Sequence, residues 1–263
     1  MSRRFAQHFL RDSSAIDRIV SALEITGDDR VLEIGPGKGA ITTKLLAAKL
    51  LVAVEVDAEM VEALGRKCVA AKNFKLIHQD ILKFDLRSLE ADVQQGEKFK
   101  IAGNLPYNLT SPILYRLCEW DGWNRAILMV QKEVGDRLCA LPGNGDYGAL
   151  TVGVRLTAEA RPLFDLSQNS FDPPPKVKSS VIELTRRALP LTRDVATTQR
   201  VIQAAFQQRR KTLHNSLSHG LQLSKDTVLA ALRTLSIPDT LRPERLDVDG
   251  FIKLADMLLK KGD

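Results

Sequence analysis

The sequence has few cysteines and no long apolar run. Only three of its 263 residues are cysteine, Cys68, Cys118 and Cys139, and they lie far apart. Because no Cys-x-x-Cys pair is present, neither a disulfide framework nor a zinc site is expected. No stretch approaches the roughly 20 apolar residues that span a membrane, and the first residues lack a hydrophobic signal core. We therefore expect a cytoplasmic protein with free thiols, no metal and no membrane association.

The chain is basic, with a formal net charge of +6 and a pI of about 9.3. The excess is confined to one end. Residues 1–185 contain 24 Lys and Arg against 24 Asp and Glu, whereas residues 186–263 contain 14 against 8. Such an excess is typical of a region that binds a polyanion, although many soluble domains carry a few additional lysines. Taken alone, the charge favours the second explanation.

Short apolar runs alternate with helical patterns through the first 185 residues. This alternation predicts right-handed βαβ units on a parallel sheet, whose ligands bind beyond the carboxyl ends of the strands. Helices are predicted at residues 40–48 and 58–69. Strands are predicted at residues 31–34, 50–56, 75–78, 99–103 and 126–130, with two later strands at 150–156 and 180–185.

The pattern becomes helical towards the end of the chain. Apolar residues recur at helical spacing within 201–206 and again within 251–258. Ser224 stands where an N-cap is expected, just ahead of another apolar stripe. The sequence therefore predicts two domains, an α/β domain at residues 1–187 and a small all-α domain at residues 188–263.

A glycine-rich turn, Gly-Pro-Gly-Lys-Gly, follows the first predicted strand at residues 35–39. Glycines let the backbone turn tightly and approach a ligand closely. The spacing of Gly35, Gly37 and Ala40 formally satisfies the dinucleotide fingerprint, and Glu55 lies where an acid would hold ribose hydroxyls. An NAD-dependent oxidoreductase is therefore one interpretation of this turn.

Acidic residues around the turn favour another ligand. Glu33 would repel a pyrophosphate, but it suits a ligand with an amino group at that end, such as S-adenosylmethionine. Pro36 also removes an N–H that a pyrophosphate would use. Asp80 ends the third predicted strand, where a carboxylate can accept a hydrogen bond from an adenine amine. Each acid alone would be interpreted as a solvated loop residue, whereas together at successive strand ends they favour an S-adenosylmethionine site.

The tetrapeptide Asn-Leu-Pro-Tyr at residues 104–107 follows the fourth predicted strand. An amide, a carbonyl beside a proline and an aromatic ring together suit a flat heterocycle that carries an exocyclic amine. The Asn104 side chain and the Leu105 carbonyl would accept the two amine hydrogens, with Pro106 fixing that carbonyl. Tyr107 would stack on the ring. The tetrapeptide therefore predicts methylation of a ring amine, by positioning and electrostatics, without a metal or a dedicated base.

With these motifs, the chain resembles the bacterial KsgA-type small-subunit ribosomal RNA adenine dimethyltransferases over nearly its whole length. The most specific blocks are Phe-Asp-Pro-Pro-Pro-Lys-Val at 171–177 and Gln-Arg-Arg-Lys-Thr-Leu at 208–213. One departure is Ala6, where the family usually has glycine. The remaining matching blocks lie at residues 4–10, 33–39, 54–57, 79–80, 103–108, 131–134 and 147–148.

The resemblance implies a Rossmann-like, S-adenosylmethionine-dependent methyltransferase with a small all-α C-terminal domain. Its expected action is dimethylation of two adjacent adenosines near the 3′ end of 16S rRNA in the 30S subunit, by a monomer acting in ribosome biogenesis. Tyr107 and Phe171 would stack on the base. The implied cofactor-binding residues are His8, Leu10, Glu33, Gly35, Gly37, Glu55, Asp80 and Asn104. The candidate RNA-binding residues are Lys176, Lys178, Arg209, Arg210 and Lys211.

Other interpretations stay open at this point. A large-subunit rRNA methylase of the antibiotic-resistance type shares the sheet and a similar tetrapeptide. An RNA-binding assembly factor with incidental or lost methylation is a second possibility, although the intact set of acids and Asn104 argues against lost activity. Phe171 is also compatible with a core position, and the basic residues at 209–211 with a solvated helix end.

Overall fold

The computed structural model describes residues 8–94, 96–208 and 210–259. Its strands are β1 (Phe9–Leu10), β2 (Arg30–Ile34), β3 (Leu50–Glu55), β4 (Phe74–His78), β5 (Phe99–Asn104), β6 (Trp123–Gln131), β7 (Ala158–Leu166), β8 (Phe171–Asp172) and β9 (Ser179–Arg186). Its helices are α1 (Ser13–Leu23), α2 (Thr42–Leu45), α3 (Ala58–Lys67), α4 (Thr110–Glu119), α5 (Lys132–Cys139), α6 (Ala149–Arg155), α7 (Val195–Phe206), α8 (Leu213–Leu221), α9 (Lys225–Thr234) and α10 (Val248–Leu258).

Within the described residues, seven strands form one sheet in the order β4-β3-β2-β5-β6-β9-β7. The neighbours from β4 to β6 pair in parallel, and β9 runs antiparallel to β6. The direction of chain progress reverses between β2 and β5, which are neighbours. Ligands bind at such a switch point, beyond the carboxyl ends of the strands. Ile34 and Gly103 are paired there, so the segments after the two strands lie side by side.

The sheet is held by an apolar core that α1 helps to form. β2 is buried at all five of its positions, as is typical of a central parallel strand. Ile19 and Leu23 of α1 are fully buried and belong to the same core cluster as Val31 and Leu51. Burial of each such side chain contributes about 1.5–3 kcal/mol relative to exposure. The core therefore fixes the strand ends that carry the predicted site residues.

The chain divides into two compact units, with boundaries after Gly135, Glu159 and Arg186. The first unit comprises the part up to Gly135 together with Ala160–Arg186, and it contains most of the sheet. The second unit comprises Asp136–Glu159 and the part after Arg186. This division places residues 136–159 with the helical part of the chain, whereas the sequence assigned them to the α/β domain.

The second unit is helical and has its own core. Val201 and Ile202 of α7, Leu217 of α8, Leu232 of α9 and Phe251 of α10 are buried within one apolar cluster. The N-cap predicted at the start of α9 is confirmed, because the Ser224 hydroxyl accepts the Thr227 N–H at 3.1 Å. No helix among the described residues has both the length and the apolar content needed to cross a bilayer.

One predicted strand is wrong. Residues 150–156 were expected to be extended, but the structure has α6 at Ala149–Arg155. A seven-residue apolar run suits a buried strand and a buried helix equally well, so periodicity alone does not separate them. A polar contact at the start of the run favours the helix, because the Thr151 hydroxyl accepts the Gly148 N–H at 3.2 Å and closes the first helical turn. The predicted fold class is confirmed, because the chain combines a Rossmann-like sheet and its helices with a later helical part.

Candidate active site

A cavity of about 430 Å³ opens at the switch point of the sheet. Its volume lies within the range of roughly 300–1,000 Å³ that is typical of small-molecule sites. All the residues predicted to bind the cofactor and the whole tetrapeptide line it, together with several residues that the sequence did not indicate. The predicted set comprises His8, Leu10, Glu33, Gly35, Gly37, Glu55, Asp80, Asn104, Leu105, Pro106 and Tyr107.

The glycine turn uses its own N–H groups for internal hydrogen bonds. Gly35, Gly37 and Gly39 all have positive φ, at 65°, 54° and 75°, a region that other residues rarely adopt. The Gly35 N–H donates to a β3 carbonyl at 3.0 Å, and the Gly39 N–H donates to the Pro36 carbonyl at 2.9 Å. The Gly37 N–H donates to Glu55 at 3.0 Å. Because Pro36 has no N–H, this turn offers few donors to a pyrophosphate, which argues against a dinucleotide.

Glu55 anchors the turn and still has acceptor capacity. It is only 4% exposed. Its Oε1 accepts the N–H groups of Val56 and Asp57 at 2.8 and 3.0 Å, and its Oε2 accepts that of Gly37. A carboxylate has about four lone-pair positions, so one position on Oε2 is left for a ligand hydroxyl. This arrangement agrees with the ribose-binding role predicted for Glu55.

Glu33 is buried in the pocket wall with an unsatisfied oxygen. Its side chain is 2% exposed, and its Oε2 has no hydrogen-bond partner among the described residues. Burial raises the pKa of Glu33 from 4.5 to about 7, and the charge of Glu55 adds to this effect. The Thr42 hydroxyl and the Lys67 ammonium oppose it. A ligand ammonium would satisfy the free oxygen and stabilise the ionised form of Glu33. This carboxylate therefore fits the amino-acid-like end of a cofactor.

The raised pKa of Glu33 predicts a pH-dependent stability. The folded carboxyl ionises near pH 7 and the unfolded one near pH 4.5, so ionisation destabilises the ligand-free fold as pH rises between these values. We expect Glu33→Gln to remove this cost, so that its melting temperature relative to wild type rises between pH 5 and pH 8. Thermal unfolding of both proteins at the two pH values measures this difference. Glu59→Gln removes an exposed carboxylate and is the control. The same melting-temperature difference between Glu33→Gln and wild type at both pH values would contradict the raised pKa of Glu33.

Asp80 follows β4 and faces the same cavity. Its Oδ1 accepts the Leu82 N–H at 2.9 Å, which orients the carboxylate. Its Oδ2 accepts no hydrogen bond from the residues that the structure describes. The half-buried carboxylate therefore has one oxygen available for a donor such as an adenine amine.

Asn104, at the end of β5, is oriented by the N-terminal segment. Its Nδ2 donates to the His8 carbonyl at 2.9 Å, so its Oδ1 faces away from that carbonyl. Next to it, the Leu105 side chain is 1% exposed and the Leu105 N–H donates to the Met129 carbonyl at 3.0 Å. In the described part of the chain, neither Asn104 Oδ1 nor the Leu105 carbonyl accepts a hydrogen bond. Two consecutive residues that line the pocket thus each have a free oxygen acceptor.

Pro106 and Tyr107 complete this corner. The Pro106 carbonyl accepts the Leu109 N–H at 2.9 Å and the Thr110 hydroxyl at 3.1 Å, which starts α4. The Tyr107 hydroxyl is 2.7 Å from the hydroxyl of Ser179, and burial raises the pKa of Tyr107. The phenol therefore stays neutral at physiological pH. Its half-buried ring stacks against the imidazole of His8, with 6.0 Å between ring centroids and 27° between planes.

The N-terminal strand β1 is clasped to the proline-rich block. Leu10 pairs with Phe171 across the antiparallel β1 and β8 strands, and the Arg11 N–H donates to the Ser170 carbonyl at 2.9 Å. The imidazole of His8 donates from Nδ1 to the Pro173 carbonyl at 2.7 Å. Because His8 and Leu10 line the cavity, the block at 171–175 helps to shape this cavity through β1.

The stacking role predicted for Phe171 requires correction. Its side chain is 0% exposed and belongs to the core cluster with Leu10 and Ile16. Neither face of the ring is open to a base in this structure, and Phe171 does not line the cavity. The physical reason is the β1–β8 pairing, which carries Phe171 inwards. Tyr107 is therefore the stacking candidate that the structure supports.

Phe9 is a pocket residue that the sequence did not indicate. A Cβ placed on Gly37 would lie 3.0 Å from the Phe9 ring, so a larger residue would push this ring away. The Lys38 ammonium lies 4.4 Å from the centroid of the same ring. Phe9 stands between two predicted residues, His8 and Leu10, but strand alternation would point it away from them. In the sequence, only the family resemblance of the segment at residues 4–10 could have indicated a role for Phe9.

The four candidate RNA-binding residues that the structure describes do not line the cavity. Lys176 and Lys178 are exposed beside the proline-rich block, in the first unit. Arg210 and Lys211 are exposed in the segment between α7 and α8, in the second unit. None of the four forms an ion pair with a described residue. Arg209, and residues 4–7 of the N-terminal block with Ala6, lie outside the described residues.

The fold and the pocket together define a methyltransferase with a Rossmann-like sheet. Acidic residues lie at the ends of β2, β3 and β4. The end of β5 carries two free oxygen acceptors and the ring of Tyr107. In the part of the chain that the structure describes, no three or more His, Cys, Asp or Glu side chains cluster as metal ligands would. The sequence profile described as ribosomal RNA adenine dimethylase matches residues 1–258. The chain belongs to the ribosomal RNA adenine dimethylase family.

Individual relatives agree with this membership. The ribosomal RNA small subunit methyltransferase A of Pseudomonas aeruginosa is 41% identical over 260 residues, or 97% of this chain and 94% of the relative. A dimethyladenosine transferase from Plasmodium falciparum has a crystal structure that matches with a TM-score of 0.79 and 26% identity, over 94% of this chain and 96% of that one. The 23S rRNA methyltransferase ErmE matches with a TM-score of 0.68 and 26% identity, over 95% and 99% of the two chains.

Proposed function

We propose that this protein uses S-adenosylmethionine to dimethylate the N6 amines of two adjacent adenosines near the 3′ end of 16S rRNA, in the small ribosomal subunit. The observation that carries the proposal is the pair of free acceptors, Asn104 Oδ1 and the Leu105 carbonyl, at the edge of an acid-lined cavity. Two acceptors side by side match the two hydrogens of one exocyclic amine. The acids account for a cofactor in the same cavity.

The cofactor would be held by residues at three strand ends. Glu33 would bind its amino group, Glu55 a ribose hydroxyl and Asp80 the adenine amine. His8 and Leu10 would close the pocket from β1. When bound, S-adenosylmethionine supplies a methyl group on a sulfonium centre.

The chain's own contribution to the reaction is to position the target amine. The N6 amine of adenine is a weak nucleophile because its lone pair is delocalised into the ring. Hydrogen bonds from N6 to Asn104 Oδ1 and to the Leu105 carbonyl favour a tetrahedral nitrogen, whose lone pair is then directed into the cavity. Methylation makes the N6 proton acidic, so no dedicated general base is required. Positioning and electrostatics therefore account for the catalysis.

Tyr107 would hold the target base by stacking. Its hydroxyl is fixed by Ser179, so the ring cannot rotate freely about its side-chain bonds. Base stacking on an aromatic side chain is worth about 1–3 kcal/mol. A target adenosine in folded RNA must leave its own stack to reach this corner. The His8 ring, which now faces Tyr107, would give way to the base or pack beside it.

The choice of cofactor separates this proposal from an NAD-dependent enzyme. We expect S-adenosylmethionine and S-adenosylhomocysteine to raise the melting temperature of the protein, and NADH to leave it unchanged. The physical reason is that the N–H groups of the glycine turn are occupied and Glu33 faces the cavity. Protection by NADH alone would overturn the cofactor assignment.

The choice of target separates it from a large-subunit methylase. The small-subunit assignment draws on the curated bacterial relatives, whereas the similarity to ErmE makes the large subunit the runner-up. We propose incubation of the protein with methyl-labelled S-adenosylmethionine and with 30S or 50S particles from cells that lack the modification. Label in the small subunit supports the proposal, and label in the large subunit alone would contradict it.

Exposed basic side chains would bind the RNA backbone. We expect Arg210→Ala to weaken RNA binding and to lower the slope of log affinity against log salt by about one unit, because one phosphate contact is lost. Filter binding between about 50 and 300 mM salt, a range in which the Debye length falls from above to below about 10 Å, measures this slope. Lys225→Ala, also an exposed cation of the second unit, is the control. An unchanged slope for Arg210→Ala would indicate a solvated residue without an RNA contact.

A further inference from the structure

One arginine connects the helix that follows the tetrapeptide with the loop that follows Asp80. Arg116 lies on α4, the helix that begins three residues after Tyr107. Its guanidinium donates to the Leu82 carbonyl at 2.6 Å and to the Phe84 carbonyl at 2.7 Å. Both carbonyls belong to the loop that follows Asp80. The buried Nε of Arg116 has no partner among the described residues, so its two terminal nitrogens make the contacts that hold this loop.

The loop after Asp80 is closed by a short chain of hydrogen bonds. The Asp80 carbonyl accepts the N–H groups of Lys83 and Phe84, each at 2.9 Å. The Asp80 carboxylate accepts the Leu82 N–H through Oδ1 at 2.9 Å. Leu82 is thus held at both backbone groups, its N–H by Asp80 and its carbonyl by Arg116. The direction of the Asp80 carboxylate therefore depends on the position of Leu82, which Arg116 fixes.

We infer that Arg116 is a positioning residue that gives the pocket its selectivity for an adenine-bearing cofactor. The inference rests on the proposed function, in which Asp80 accepts the adenine amine. Without the two guanidinium donors, the Leu82 and Phe84 carbonyls lose their partners and the Asp80 carboxylate loses its fixed orientation. The selectivity for the 6-amino group then falls.

The catalytic corner is held independently of Arg116. The start of α4 is fixed by the Pro106 carbonyl, which accepts from Leu109 and Thr110. Asn104 is fixed by the His8 carbonyl. Loss of the Arg116 donors therefore raises the KM for S-adenosylmethionine, while kcat at saturating cofactor stays within about threefold of wild type, since uniform binding rather than transition-state binding is lost.

The test compares two ligands that differ only in the amine. Calorimetry measures the affinity for S-adenosylhomocysteine and for its counterpart with unsubstituted purine in place of adenine. We expect Arg116→Met to lower the first affinity about tenfold and the second by less than about threefold, because a hydrogen bond to a charged acceptor is worth roughly a factor of ten. Arg116→Lys keeps one donor nitrogen in place of the two that contact the loop, so its ligand preference lies between those of wild type and Arg116→Met.

A second arginine provides the matched control. Arg186 also donates to two backbone carbonyls of the first unit, those of Leu117 and Cys118, but not to the Asp80 loop. Arg186→Met is expected to lower the melting temperature and to leave the ligand preference unchanged. The inference would be overturned if wild type and both Arg116 variants showed the same preference for S-adenosylhomocysteine over its purine counterpart. A fall in kcat without a rise in the KM for S-adenosylmethionine would also overturn it. If wild type binds neither ligand, the proposed cofactor itself is wrong.

Discussion

Replacement of Asn104 by alanine is expected to lower the rate of methyl transfer by about 100- to 1,000-fold, the effect typical of removing one preorganised hydrogen-bonding group from an active site. The Asn104 amide donates to the His8 carbonyl, and this contact leaves its Oδ1 free for the target amine. Cofactor affinity should fall only modestly, because Glu33, Glu55 and Asp80 remain. Methyl incorporation into small subunits measures the rate, and calorimetry measures the affinity.

Two further variants define what the Asn104 result means. Asn169→Ala removes an exposed asparagine outside the cavity, and its rate should equal that of wild type. Asn104→Asp keeps an acceptor but places a carboxylate against the His8 carbonyl, so its rate should fall as well. Turnover of Asn104→Ala near the wild-type level would contradict the proposed role. An inactive variant that still binds immature small subunits would separate methylation from a role in assembly.

Replacement of Glu55 by alanine is expected to lower cofactor affinity about a hundredfold or more, since hydrogen bonds to a charged group are worth about 1.5–3 kcal/mol each. The Glu55 carboxylate accepts three N–H groups, from Gly37, Val56 and Asp57. Its removal leaves these donors unsatisfied beside the cavity and frees the glycine turn. The ribose hydroxyl loses its acceptor at the same time. Calorimetric titration with S-adenosylhomocysteine measures the loss.

The Glu55 result needs a partial variant and a neutral one. Glu55→Gln keeps one oxygen acceptor, so its affinity should lie between those of wild type and Glu55→Ala. Glu59→Ala removes an exposed carboxylate near the start of α3 and should leave the affinity unchanged. Binding by Glu55→Ala within about threefold of wild type would show that the turn holds its shape without this carboxylate, against the expectation from its hydrogen bonds.

The location of the site was largely predictable from the sequence. Parallel strands bring their carboxyl ends to one edge of the sheet, so residues that follow successive strands meet there. Glu33, Glu55, Asp80 and Asn104 line one cavity for this reason. The order of the strands was not needed for that prediction. The roles of the individual residues stay predictions until the variants are measured.

The details that were missed depend on contacts distant in sequence. Phe171 is buried because β8 pairs with β1, about 160 residues earlier. Local pattern cannot distinguish such a core aromatic from a stacking one. Arg116 has an ordinary place on an amphipathic helix, and only the fold brings it to the Leu82 carbonyl. Likewise, the helix at Ala149–Arg155 and the predicted strand at 150–156 share one apolar run, so local sequence supports both.

The function proposed for the pocket is methylation of adenine N6 in small-subunit RNA. Mass spectrometry of nuclease fragments of 16S rRNA tests it most directly, after unmodified 30S particles are incubated with the purified protein and S-adenosylmethionine. The proposal predicts N6,N6-dimethyladenosine at two adjacent positions near the 3′ end with wild type, and unmodified adenosine there with Asn104→Ala. Unmodified 16S rRNA with wild type, or the same modification with Asn104→Ala, would contradict it.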